Sequence, residues 1–206
     1  MAGGLPELRA TLGSQPPVLL VDDLGLLIRA SLHHGGCRAP GWNHSLLITT
    51  SRSGLVTWPT VVLLPPFEAG DEVIRVAGLL VNPALEEVWL VRDGDTWHPS
   101  LDPGFAAAGL ASPAAGIPVG VPAAGVTGRL ADGCLSVAVD GQAETYETWA
   151  KPQIGGQARQ HGGFLLIVTH AVHPAQLTPE GLDRALASPL TLAGWANLGS
   201  GTTRPP

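Results

Sequence analysis

Alternating apolar and polar positions mark much of the chain. Between Leu26 and Leu32, residues Leu26, Ile28, Ala30 and Leu32 fall on one side, while Leu27, Arg29 and Ser31 fall on the other. A period of two over this length predicts a half-buried strand. Strand-like runs follow at His44–Thr50, Leu55–Leu64, Val73–Val81 and Glu87–Arg92, rich in the Val, Ile, Thr and Trp that suit a pleated surface. Phe164–Thr169 is apolar almost without a break, the pattern of a buried strand, and Leu190–Leu198 reads as extended.

Turn chemistry joins some of these runs. Val88-Trp89-Leu90-Val91 enters Arg92-Asp93-Gly94-Asp95 and returns as Thr96-Trp97-His98. Leu135, Val137 and Val139 line one face before Asp140-Gly141, and Ala143–Ala150 returns. Asp-Gly tolerates the positive φ angles of tight hairpin turns, so both segments predict hairpins. Helices are few. Pro6 and Gly13 bound a short one over Leu5–Leu12. Thr178-Pro179-Glu180 opens another through Ala187, with a hydroxyl cap, proline in the first turn and an acid near the positive end of the dipole. The fold class expected is mainly β, or α+β: an antiparallel sandwich or barrel with one or two short helices.

The segment 103–127 breaks the pattern. Pro and Gly supply nine of its 25 residues. Its composition predicts an arm or long loop on a single domain of residues 1–206, or a linker between small lobes at 1–102 and 128–206. The chain has 206 residues, enough to bury a substantial core.

Charge narrows the function classes. Charged residues make up 14% of the chain, against about 25% in an ordinary soluble protein. Surface so poor in charge suits partial cover by another subunit. The net charge is −6 and Lys151 is the sole lysine, which leaves no electrostatic footprint for nucleic acid. No run approaches the ~20 apolar residues of a spanning helix. The first residues, with Glu7 and Arg9, do not read as a secretory signal, so a cytoplasmic location or incorporation into a particle is expected.

Histidine and cysteine are the candidates for chemistry. His34 and Cys37 stand three residues apart near a Gly-Gly turn, and His170 and His173 follow the apolar strand. If the two regions met, these four N and S donors would suit tetrahedral zinc. Cys37 is also a candidate thiolate nucleophile, with His161 or His170 as the base. The bland alternative is loop histidines making ordinary hydrogen bonds around a small buried thiol. The glycine-rich run Gly155–Gly163 lacks the Gly-Lys-Ser/Thr ending of a phosphate loop and leads into a strand; it reads as a flexible hairpin connection. Asp22-Asp23 and Glu86-Glu87 read as solvated turn or edge residues.

Six tryptophans outnumber the three phenylalanines and one tyrosine. Tryptophan serves both cores and binding platforms. Trp97, His98, His161 and Trp195 are the expected ligand or partner contacts, with Trp97 and Trp195 exposed. Two readings result: a non-enzymatic assembly or binding module with a protein partner or a second copy, of the kind that builds a virion or tail, and an enzyme with a His/Cys metal or thiol site.

Overall fold

The computed structural model describes residues 17–34, 36, 39–44, 59–69, 72–83, 87–117, 119–142 and 145–199. The expected helix Leu5–Leu12 and nearly all of the expected strand His44–Thr50 lie outside them. The chain gathers into two compact units. The first is Met1–Gly54 with Glu86–Pro99; the second is Leu55–Leu85 with Ser100–Pro206.

The first unit is a five-stranded sheet in the order β3-β1-β2-β8-β9. Its strands are β1 (Pro17–Asp23), β2 (Leu27–His34), β3 (Gly41–Asn43), β8 (Glu87–Asp93) and β9 (Thr96–Ser100). β2 forms where the alternation predicts a strand, antiparallel to both β1 and β8, but it is not half-buried: Ile28 on one face and Arg29 and Ser31 on the other are all buried. Gly94 turns the β8–β9 hairpin at φ 59°, a left-handed conformation that costs glycine nothing.

The second unit is built on a seven-stranded, nearly closed barrel-like sheet in the order β12-β11-β10-β14-β13-β7-β4, whose end strands β12 and β4 approach each other. The strands are β4 (Thr60–Leu63), β7 (Ala77–Val81), β10 (Pro122–Ala131), β11 (Cys134–Val139), β12 (Thr145–Trp149), β13 (Gly163–Thr169) and β14 (Thr191–Leu198). A small hairpin of β5 (Phe67–Ala69) and β6 (Glu72–Ile74) precedes β7, so the single run expected over Val73–Val81 is interrupted at Arg75 and Val76. The β11–β12 hairpin turns at Asp140-Gly141 as its sequence requires. Asp132-Gly133 carries the same signal, with φ angles of 50° and 82°, and turns β10 into β11.

The fold is thus mainly β, and most described strand pairs are antiparallel. Three pairs are parallel: β1 with β3, β10 with β14, and β13 with β7. All seven residues of β13 are buried, because it is central in the sheet and covered on both faces. Phe164, Leu166 and Val168 join one core cluster; Leu165 and Ile167 join the other. Among the described residues three short helices complete the unit: α1 (Pro103–Ala107), α2 (Pro152–Gln160) and α3 (Pro179–Leu186). Ala158 of α2 packs in the first cluster and Leu182 of α3 in the second. Thr178 caps α3 as predicted, accepting from the Gly181 amide at 3.1 Å.

Three expectations are corrected here. The segment 103–127 is no arm or linker: Phe105, Leu110 and Val126 are buried core residues, and β10 begins at Pro122. Small residues let this chain pack closely, so its composition reports tight contact. The run from Gly155 is no hairpin connection but the body of α2, opened by Pro152 and held by the burial of Ala158. Asp22 is not solvated; it is 2% exposed.

Among the described residues no helix is long and apolar enough to cross a membrane.

Candidate functional site

Register places four side chains in one row across the first unit. Asn43 pairs with Asp22, Asp22 with Arg29, and Arg29 with Trp89. Asp22 accepts a 3.0 Å hydrogen bond from Asn43 Nδ2, and its Oδ2 lies 3.8 Å from an Arg29 guanidinium nitrogen. The guanidinium carbon lies 6.0 Å from the Trp89 ring centroid. Charge, hydrogen bond and ring face together offset the cost of burying a carboxylate and a guanidinium.

The opposite face carries the alternate residues Leu19, Val21, Ile28, Ala30, Val88 and Leu90. Its apolar stretch is bounded at one end by two charged residues, Asp23 opposite Ile28 and Arg92 beyond Leu90. Val21 and Ile28 are buried, whereas Leu19 is 50% and Val88 37% exposed. Arg92, two residues beyond Leu90 on β8, lies with its guanidinium carbon 5.9 Å from the Trp97 ring centroid. Trp97 and His98 are exposed on β9, an edge strand of the sheet. Trp97 is exposed, as expected, beside that face.

A second exposed aromatic lies at the other edge. Trp42 is held by a hydrogen bond to Asp23, which also meets His44 Nδ1 at 3.2 Å and accepts from the Gly25 amide at 2.9 Å. The Gly25 amide chiefly, with help from Trp42 and His44, lowers the Asp23 pKa below its ordinary 3.8.

The remaining expected contacts divide. His161 is half-buried and lines a hollow beside α2. Trp195 is 1% exposed, which corrects the expectation of a surface residue. β14 lies between β10 and β13, and the indole packs over Gly163, where an added Cβ would come within 2.5 Å of Nε1.

Of the four expected zinc donors, His170 and His173 both lie beyond the end of β13, His170 half-buried and His173 exposed. Cys37 and the side chain of His34 are outside the described residues. Among the described residues no three His, Cys, Asp or Glu side chains converge on a metal-sized site. Cys134 is a half-buried free thiol.

No family model matches this chain, and no curated protein or solved structure proves significantly similar to it. The apolar face signalled itself in the sequence through the alternation over Leu26–Leu32. The buried ionic row did not, because its members come from four separate strands.

Proposed function

We propose that this chain is a non-enzymatic assembly module that joins a second copy of itself through the apolar face of the first unit's sheet. The observation that carries the reading is the concentration of exposed apolar side chains there: Leu19, Val88 and Trp97 stand exposed on or beside one face. Isolated exposed apolar residues are ordinary, but a continuous apolar face is what association buries. Low overall charge supports the same reading, since it suits a surface that is shared between subunits. The two edge strands, β3 and β9, offer main-chain groups that a neighbouring sheet can extend. Subunits of multi-copy particles such as virions or tails use such surfaces, and on this reading the chain works in the cytoplasm or within the particle.

The test is the oligomeric state of the untagged protein by sedimentation equilibrium, wild type against Leu19→Lys with Val88→Lys. The wild type is expected to form a defined oligomer and the double variant to be a monomer with unchanged circular dichroism. A monomeric wild type, or an oligomer that the two lysines leave intact, overturns the reading.

A further inference from the structure

The second unit holds a groove that self-association does not use. Its floor is the buried Val62, Leu64 and Leu182, and Pro65, Pro66 and Pro179 form its rim. The space is about 410 Å³, within the ~300–1,000 Å³ of small-molecule sites. Arg75, exposed between β6 and β7, is the one charged residue among those lining it, and among the described residues it has no ion-pair partner.

The other polar side chain of the lining, Thr178, is already engaged. Proline has no amide hydrogen to offer a ligand. The Thr178 hydroxyl accepts from the Gly181 amide and bonds the Glu180 carboxylate. A ligand in this groove thus meets hydrocarbon on its flanks and a guanidinium at one place. A more polar hollow of about 460 Å³ shares Pro66 and Arg75 and is lined also by Val73, Ile74, Gln157, Gln160 and His161. Arg75 therefore lines both an apolar groove and a more polar hollow.

We infer that this groove binds a small amphipathic monocarboxylate, with its hydrocarbon body between Pro66 and Leu182 and its carboxylate on Arg75. Charge complementarity selects the anion: a guanidinium fork matches a carboxylate with two parallel hydrogen bonds, and a neutral or cationic head forfeits them. The apolar flanks select the body. The groove lies within the second unit, and none of its lining residues is among those proposed for association.

The probe is decanoate, titrated calorimetrically below its micellar concentration into the full chain, beside decanol and decyltrimethylammonium. Decanoate is expected to bind one per chain and at least roughly tenfold more tightly than either, as a charge-assisted pair requires. Arg75→Gln, at an exposed position, is expected to lose that preference and retain the wild-type circular dichroism. Pro66→Glu, which brings a like charge to the rim, is expected to weaken decanoate more than decanol. Absence of decanoate binding overturns the inference, as does equal affinity for decanol. Undiminished binding by Arg75→Gln also overturns it, since it would put the ligand on another apolar surface.

Discussion

Asp22 and Arg29 face each other across β1 and β2, both almost wholly buried, with oxygen and nitrogen 3.8 Å apart. Neither charge is tolerable there alone. Asn43 supplies a second partner to the carboxylate and Trp89 a ring face to the guanidinium, so the row spans four strands of the first unit.

Replacing Arg29 by Met strands the Asp22 carboxylate in the sheet. The expected loss is ~3–5 kcal/mol, the cost of removing one partner of a buried pair. Adding Asp22→Leu is expected to restore most of it. Urea unfolding, followed by tryptophan fluorescence, measures both; a single variant no less stable than the double would refute the pairing.

Asp102 ties the start of α1 to the β11–β12 turn. Its Oδ1 accepts from the Gly104 amide at 2.7 Å and its Oδ2 from Gln142 Nε2 at 3.0 Å. Asp102→Ala is expected to cost ~1–2 kcal/mol through the lost cap and tie. Deleting residues 103–121, which an arm would tolerate, removes Phe105 and Leu110 from the core and is expected to abolish folding. Limited proteolysis of the deletion protein, compared with the wild type, is the check.

Trp195 rests on Gly163 with no room for a methyl group. Gly163→Ala is expected to destabilise by ~1–3 kcal/mol, the usual cost of overpacking a filled interior. Ala at Gly141, where an added Cβ meets nothing within 4 Å, is expected to act only through its φ of 78°. Denaturation midpoints of the two variants separate packing from backbone strain.

Two carboxylates, the half-buried Asp23 and the exposed Glu180, set part of the acid limb of stability. The Gly25 amide lowers the pKa of Asp23 from 3.8, and its own backbone amide followed by the Thr178 hydroxyl lowers that of Glu180 from 4.5. A depressed folded pKa means that the stabilisation is complete above the ordinary value and fades as pH falls through the folded one. The difference between wild type and Asp23→Asn with Glu180→Gln should therefore be constant above these values and shrink below them. Carbon-13 NMR titration of the two carboxyls reads the shifts directly; values at or above 3.8 and 4.5 would contradict the geometry.

Elements with a local cause are legible along the chain. β13 follows from an unbroken apolar run, the β11–β12 hairpin from Asp140-Gly141, the α3 start from Thr178-Pro179, and the first unit's apolar face from alternation along β2. Each depends on neighbours within a few residues, where side-chain shape and backbone dihedrals are linked directly. The rest depends on contacts between distant segments. Asp22 is buried because Arg29, Asn43 and Trp89 arrive on three other strands, and adjacency to Asp23 says nothing of that. Residues 103–127 look like a linker until Phe105 meets the barrel interior. Trp195 lies near the end of the chain yet at the centre of a sheet, because β14 runs parallel to a strand some seventy residues earlier. Arg75 lines the groove beside residues from β4 and the α3 start, brought together by long-range packing. Composition and period report how a segment folds; which distant segment covers it is fixed only when the whole chain closes on itself.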